Sequence, residues 1–183
     1  MKPSARFVIL MSGINVETTW QYGGDLMDKE RFTQLVTAQQ RRMYRIAVSY
    51  TASSADAEDA MQEALLRAWS KRHTLRDEAL FATWLTRILI NECKTLLRKR
   101  KRSVPVEQLP ALAAPPADEE AAEVRQVMFA MPQHYRLPLV LSLVEGYTMK
   151  EIAALLRLPL GTVKSRIARG KKMLEQEVSD HAE

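Results

Sequence analysis

Residues Gly146–Leu174, GYTMKEIAALLRLPLGTVKSRIARGKKML, decide the fold of the C-terminal part of the chain, because they predict two short helices joined by a tight turn. Thr148 and Glu151 have the T-x-x-E spacing of a capping box, in which each side chain accepts a hydrogen bond from an amide at the helix start. A helix therefore begins just after Thr148. The proline and glycine in Leu158–Gly161 end it before Thr162, a residue type that caps helices well. The pattern predicts a helix-turn-helix.

The second helix of this pair has one apolar side and one cationic side. Apolar or small residues recur at intervals of three and four and predict a buried stripe: Val163, Ile167, Gly170 and Leu174. Five cations and no acid lie between Thr162 and Glu175. A major-groove helix needs this combination of cations for phosphates, short or forked side chains for base edges and an apolar back. The residues predicted to contact DNA are Thr162, Lys164, Ser165, Arg166, Ala168, Arg169 and Lys172. An ordinary helical hairpin with a solvated basic face is the alternative.

The segment EIAALLRLPLGTVKSRIARGKKML resembles the C-terminal promoter-reading module of the sigma-seventy family, in its small extracytoplasmic-function group. The upstream segment MPQHYRLPLVLSLVEGYTMKEIA continues the resemblance, and a block between Glu30 and Arg102 resembles the N-terminal module of the family. The family usually has glycine in the turn, whereas this chain has Arg157. Arg157 must therefore accept a left-handed conformation or shift the turn.

Composition favours a helical protein with a polyanionic partner. Glycine is scarce and helical periodicity persists through both blocks of the 183-residue chain. The predicted fold class is all-α, with two small helical domains joined by a proline-rich linker, the C-terminal one carrying the helix-turn-helix. The net charge of +5 fits nucleic acid. The single cysteine, Cys93, excludes an internal disulfide and suits a reducing compartment. The apolar run Phe7–Met11 is too short for a signal peptide or a membrane span, so we expect a cytoplasmic protein without stable membrane insertion.

The order of the blocks predicts five segments. They are an extension at 1–28, expected to be disordered, a module at 29–102, a linker at 103–120, a module at 121–177 and a tail at 178–183. The resemblance makes the first module sigma region 2, which docks on core polymerase and recognises and melts the minus-ten element. It makes the second module sigma region 4, which recognises the minus-thirty-five element.

Translation is expected to start at Met27, because the family resemblance begins just after it and the preceding residues lack helical periodicity. Gly23-Gly24-Asp25 can be encoded by a purine-rich run that resembles a bacterial ribosome-binding site. The alternative is a short disordered extension that begins at Met1.

The second helix of the first module, expected to begin near Asp56, has an unusual polar side. Asp59, Gln62 and Glu63 flank the apolar Leu66, a mixture that suits a protein partner better than water. A merely solvated acidic face is the alternative. In the sigma family this segment, with its D-A-E-D-A-x-Q-E sequence pattern, docks on the clamp helices of the largest polymerase subunit. The resemblance therefore gives the docking role to Asp56, Asp59, Gln62 and Glu63.

The third helix of this module, from Glu78 to about Arg102, has a second basic face. Polar residues recur on it every three or four positions: Arg87, Asn91, Lys94, Arg98 and Lys101. Its cations attract phosphates, and Asn91 can hydrogen-bond a base edge. The resemblance assigns this helix and the loop before it to melting and reading the minus-ten element. Phe81 and Trp84 either pack in the core or stack on an unpaired base, with core favoured for Trp84.

No catalytic or metal site is expected in this sequence. His73, in the basic loop Ser70–Asp77, has no histidine, cysteine or carboxylate at ligand spacing. Paired carboxylates and a phosphate-binding glycine loop are also missing, so we expect no cofactor and no enzyme activity. In the second module Pro138 either kinks its helix or marks the first turn.

The sequence therefore predicts a sigma factor of the extracytoplasmic-function type, which directs promoter-specific transcription initiation in a stress or envelope response. The resemblance implies four partners: core RNA polymerase through its clamp helices and the flap of its second-largest subunit, double-stranded promoter DNA, the melted non-template strand, and an anti-sigma factor that could hold the protein at the membrane. A stand-alone helix-turn-helix regulator is the alternative. It does not explain the acidic side of the second helix or the second basic helix.

Overall fold

Helices make up the structure, a computed structural model that describes residues 27–103 and 128–181, with side chains described to residues 100 and 176. The helices are α1 Lys29–Thr51, α2 Ser54–Lys71, α3 Phe81–Ser103, α4 Gln133–Leu143, α5 Met149–Leu156 and α6 Leu160–His181. Short 3-10 turns at Arg72–Thr74 and Glu78–Leu80 connect α2 to α3. No strand occurs in these two ranges, which confirms the predicted all-α class. Residues 1–26 of the expected extension and 104–120 of the expected linker lie outside the described ranges.

Side-chain caps fix where the first two helices begin. The Asp28 carboxylate accepts a hydrogen bond from the Arg31 amide at 2.7 Å, so α1 begins at Lys29, the first residue of the expected first module. The Ser53 hydroxyl accepts one from the Asp56 amide at 3.2 Å, which starts α2 at Ser54, slightly earlier than predicted. Between these helices Ala52 turns the chain in a left-handed conformation with φ 56°.

Helices α1, α2 and α3 pack pairwise around their apolar faces. Phe32 on α1 lies at the centre, with its ring edge-on to Trp69 at 5.1 Å and to Phe81 at 5.9 Å between centroids. Small residues on α2, such as Ala60 and Ala64, are fully buried and let the neighbouring helices approach closely.

Helices α4, α5 and α6 form the second group, in which α6 packs mainly on α4. Pro138 is inside α4, which begins at Gln133 after Pro132, so the interpretation of Pro138 as a first-turn residue is wrong. The helix ends at Leu143, and Gly146 then turns the chain with φ 73°, a conformation that glycine adopts without a steric penalty.

The two helix groups also pack directly on each other. Helix α1 lies against α4, and α3 lies against α5, so buried residues of both groups form one continuous core cluster. The sequence predicted two modules joined by a linker and did not predict this contact. The interface therefore depends on residues that the local patterns do not single out.

Candidate nucleic-acid interface

The basic side of α6 faces solvent as its sequence predicts. Exposed residues on this helix include Lys164, Ser165, Ala168, Arg169 and Lys172, whereas Thr162 and Arg166 are half-buried. The Ser165 hydroxyl donates to the carbonyl of Thr162 at 3.0 Å, an intrahelical bond that leaves the oxygen lone pairs available. The seven predicted DNA-contacting residues thus lie on or beside one accessible helical surface, which we call the α6 face.

The opposite side of α6 is held by the second helix group. Val163 is fully buried, Ile167 is 3% exposed, and Leu174 packs on the core edge. A β-carbon added at Gly170 would lie 3.5 Å from both the Leu139 Cδ2 atom and the Tyr135 carbonyl oxygen. This close approach of α4 to α6 fixes the orientation in which the α6 face is presented.

In the turn between α5 and α6, Arg157 adopts the left-handed conformation, one of the two alternatives that the sequence left open. Arg157 is left-handed with φ 56° and ψ 49°, and its amide donates to the carbonyl of Ala153. Helix α6 begins at Leu160, and the Val163 amide donates to the Pro159 carbonyl at 3.1 Å. The prediction of Thr162 as the helix cap is therefore wrong, because the helix has already begun there.

The capping box at the start of α5 is present with both of its hydrogen bonds. The Glu151 amide donates to the Thr148 hydroxyl oxygen at 3.3 Å, and the Thr148 amide donates to the Glu151 carboxylate at 2.8 Å. The Thr148 hydroxyl also donates to that carboxylate at 2.7 Å. Hydrogen bonds from the Thr148 side chain and backbone hold the pKa of Glu151 below its ordinary value.

A second basic surface lies on α3. Four of its five predicted residues are exposed, and we call them the α3 face: Arg87, Asn91, Lys94 and Arg98. Lys101 follows in the last turn of α3, beyond the last described side chain. Leu85, Leu89 and Cys93 are buried on the other side of the helix, and burial raises the pKa of the Cys93 thiol to about 12.

A cation and several aromatic rings lie at and around the connection between α2 and α3. The Arg72 guanidinium lies over the Trp69 ring, 4.1 Å from its centroid. Phe81 is 2% exposed and is therefore a core residue. Trp84 is half-buried, with its ring 5.7 Å from that of Phe81, so its predicted core role and its possible role in stacking on a base remain predictions.

The acidic side of α2 is also accessible. Asp59 and Glu63 are exposed, Gln62 is half-buried, and Leu66, one helical turn after Gln62 and Glu63, is 45% exposed. We call these four residues the acidic stripe. Asp56 differs from them, because its carboxylate forms an ion pair with Arg100 of α3 and its side chain is only 15% exposed.

Sequence reasoning missed a group of buried charges between the two helix groups. Glu145 follows α4, and its side chain is 1% exposed between Arg42 and Arg45 of α1. Arg136 is 4% exposed, and its Nε atom donates to the Ser49 carbonyl at 2.7 Å. Burial lowers the pKa of Arg136. The one sequence signal for Glu145 is an acid in an otherwise apolar stretch, SLVEGY.

An apolar patch was also missed, at the junction of α4 and α5. Leu143 is 52% exposed, Val144 50% and Met149 41%. Exposed apolar side chains that form a contiguous patch mark protein-binding surfaces.

The described residues contain neither a metal-binding cluster nor a membrane-spanning helix. In 27–103 and 128–181 no three histidine, cysteine or acidic side chains come together in a way that could hold a metal ion. Among the described helices, none has a stretch of sufficient length and hydropathy to span a bilayer.

Two family models match the chain in the order of the two helix groups. The model for Sigma-70 region 2 matches residues 35–103, which include the acidic stripe and the α3 face. The model for Sigma-70, region 4 matches residues 121–174, which include the α6 face.

The chain is also similar to individual sigma factors over most of its length. The chain is 33% identical over 150 residues to the ECF RNA polymerase sigma factor SigM of Mycobacterium tuberculosis, covering 80% of this chain and 76% of that one. It is 29% identical over 169 residues to the ECF RNA polymerase sigma-E factor of Escherichia coli, covering 82% and 88%. The sigma factor RpoE of Bartonella quintana, solved in complex with the anti-sigma factor NepR, superposes with a TM-score of 0.70 at 24% identity. That match covers 81% of this chain and 96% of the other, and at this identity it shows the fold alone.

Proposed function

This chain belongs to the extracytoplasmic-function group of the sigma-70 family, and from that premise we propose which of its surfaces carry each step of promoter-directed transcription. It is a sigma factor that directs transcription. We assign region 2 to residues 29–102, the linker to 103–120 and region 4 to 121–177, with an extension at 1–28 and a tail at 178–183. Helix α6 continues to His181, into the proposed tail.

The acidic stripe is the proposed docking site for core RNA polymerase, on the clamp helices of its largest subunit. Asp59, Gln62 and Glu63 supply polar contacts around Leu66, whose 45% exposure is the observation that carries the assignment. An exposed leucine framed by acids is suited to a protein surface and repels DNA phosphates. Asp56 belongs to the same proposal, although its pairing with Arg100 favours a supporting role at the start of α2.

The two basic faces are the proposed DNA-reading surfaces. The α6 face enters the major groove at the minus-thirty-five element, where Lys164 and Lys172 neutralise phosphates and Arg169 reaches base edges. The α3 face with Lys101 contacts the minus-ten element and the melted non-template strand, where Asn91 can bond an unpaired base. Each surface is small, so we expect little specific DNA binding by the free chain.

The apolar patch of Leu143, Val144 and Met149 is the proposed docking site for the flap of the second-largest polymerase subunit. Its three side chains are each at least 41% exposed and lie at one junction of α4 and α5. An anti-sigma factor is a further proposed partner, supported by the related fold of a sigma factor solved with its anti-sigma factor. We also propose that the protein works in the cytoplasm in a stress or envelope response, without catalysis or a cofactor of its own. An anti-sigma factor could hold it at the membrane.

Charge reversal on the acidic stripe tests the proposal. We expect Asp59→Lys and Glu63→Lys together to abolish capture of the full chain by core RNA polymerase, with helix content unchanged by circular dichroism. Glu30→Lys on α1, also an exposed acid, controls for the altered charge and should leave capture intact. Normal capture of the double variant contradicts the docking site. Failure of the unmodified chain to bind polymerase, combined with tight promoter binding on its own, would favour a stand-alone regulator.

A further inference from the structure

Asp56 and Arg100 form an ion pair that joins the first turn of α2 to the last turn of α3. Arg100 Nη1 donates a hydrogen bond to the Asp56 carboxylate, and the two side chains are 30% and 15% exposed. The helix dipole favours an acid at a helix start and a base at a helix end, so each charge suits its own helix before the two pair. The pair is therefore a defined contact between two helices.

Helical geometry separates Arg100 from the other cations of its basic run, RKRKR at 98–102. Successive residues of an α-helix are about 100° apart around its axis, so Arg98 and Arg100 point to opposite sides of α3. Arg98 is exposed with the rest of the α3 face, whereas Arg100 is directed at Asp56 on α2. The run is therefore not one uniform phosphate-binding tract, because Asp56 neutralises one of its cations.

A second ion pair holds the same two helices with its charges reversed. Arg67 Nε, near the end of α2, lies 2.9 Å from Glu92 Oε1 of α3, and the Glu92 side chain is 6% exposed. Here α2 supplies the base and α3 the acid, the opposite of Asp56 and Arg100. A shift of α3 along α2 would leave Glu92 buried without its partner, which is strongly unfavourable. The two pairs together fix the register of α3 against α2.

We propose that Asp56 and Arg100 are a positioning pair for reading the minus-ten element, in which Arg100 contacts Asp56 instead of DNA and fixes the cationic end of α3. This inference rests on the proposed function of the α3 face. It gives Asp56 a role that Asp59 and Glu63 do not share, because their carboxylates are exposed to a partner and that of Asp56 acts within the first helix group. Asp59 is one helical turn from Asp56, so the pair connects the proposed docking site to the proposed DNA-reading helix.

Promoter binding by the polymerase complex distinguishes positioning from direct contact by the sign of one effect. Asp56→Asn removes a negative charge and releases Arg100, so a direct contact of Arg100 with phosphate predicts tighter binding. The positioning pair predicts the opposite, a loss of about threefold to tenfold in Asp56→Asn and a similar loss in Arg100→Gln. Glu58→Gln, which removes a half-buried acid of α2 outside the predicted docking set, is the matched control and should not weaken binding. Binding by Asp56→Asn as tight as that of the parent overturns the positioning pair.

The double variant tests whether the two residues act through each other. Asp56→Asn combined with Arg100→Gln should bind promoter no more weakly than either single variant, because both substitutions remove the same contact. Losses that multiply in the double variant would mean two independent contacts, one of Asp56 with polymerase and one of Arg100 with DNA. That result overturns the positioning pair.

A promoter with a scrambled minus-ten element separates positioning from a general loss of structure. On this promoter the single variants should bind about as tightly as the parent, because the α3 face has no element to read there. Losses of the same size on both promoters overturn a role in reading the minus-ten element. Circular dichroism verifies that the variants keep their helices, as expected because partly exposed ion pairs contribute little to folding.

Nuclear magnetic resonance of the arginine side-chain nitrogens in the free full chain tests the ion pair without polymerase. The guanidinium signal of Arg100, assigned by its absence in Arg100→Gln, should shift in Asp56→Asn and keep its position in Glu58→Gln. An unchanged signal in Asp56→Asn overturns the ion pair itself. Failure of the parent complex to bind the promoter contradicts the proposed function instead, and it leaves the resonance result unaffected.

Discussion

The side-chain hydroxyls of Thr86 on α3 and Tyr147 just before α5 lie 2.9 Å apart, buried at the contact between the two helix groups. Thr86→Val and Tyr147→Phe should each lower the free energy of unfolding by about 1–3 kcal/mol, because each leaves a buried hydroxyl without its partner. The double variant should lose less than the sum of the single losses. Urea denaturation of the four chains measures this coupling. Strictly additive losses would mean that the two hydroxyls do not interact.

The left-handed residue at the end of α5 predicts an unusual stabilising change. Arg157→Gly should raise the free energy of unfolding by about 1 kcal/mol, because a side chain with φ near 56° is disfavoured and glycine is not. Gly146→Ala is the reverse experiment, since Gly146 has φ 73° and open space around its missing β-carbon. It should lose a similar amount. Thermal denaturation of both variants measures these opposite changes in stability. Destabilisation by Arg157→Gly would show that the arginine side chain makes a compensating contact.

The capping box makes the stability of α5 depend on pH. The pKa of Glu151 is lowered in the folded chain, so its contribution is present above the unfolded pKa and is lost as pH falls through the folded one. We expect stability measured from pH 6 down to about pH 3 to fall less in Glu151→Gln than in the parent chain. Thr148→Ala should cost about 1 kcal/mol at neutral pH. Identical acid profiles for parent and Glu151→Gln contradict the prediction.

Gly170 is close to α4 but retains room for a methyl group. A β-carbon at this position would have no neighbour nearer than 3.5 Å, which is ordinary van der Waals contact. Gly170→Ala should therefore raise the free energy of unfolding by about 0.5–1 kcal/mol through helix propensity. Gly170→Val adds branches that must overlap the Tyr135 carbonyl or the Leu139 side chain and should destabilise by about 1–3 kcal/mol. Denaturation midpoints of both variants measure this, and loss of stability in Gly170→Ala would show a tighter contact.

Arg169 is expected to read a base at the minus-thirty-five element. Arg169→Ala should weaken promoter binding by the polymerase complex by about 1–3 kcal/mol and relax the preference at one base position. Lys171→Ala removes an exposed cation of the same helix outside the predicted set, and it controls for the general loss of charge. Binding to a panel of single-base promoter variants provides the measurement. Equal weakening on every variant would reassign Arg169 to a phosphate.

Local sequence patterns were sufficient to predict that the helices form and which faces of α2, α3 and α6 are accessible. The start of α1 at Lys29 and the capping box of Thr148 and Glu151 involve partners no more than four residues apart. The start of α6 was displaced by three residues, from Val163 after the expected Thr162 cap to Leu160, because Thr162 is a good cap but Pro159 comes first. Proline, with its fixed φ and no amide to satisfy, is favoured at helix starts. Propensity alone did not decide between these two signals.

The contact between the two helix groups was decided only by the tertiary structure. Helical periodicity identifies which side of a helix is apolar, but it does not identify the helix that covers it. Glu145 is about 100 residues from Arg42 and Arg45 in the sequence, with the expected linker between them. By composition these three residues belong on the surface, since charged side chains are almost never fully buried unless they are paired. Burial of Glu145 becomes favourable only once both arginines are in place, so no pattern along the chain indicates it.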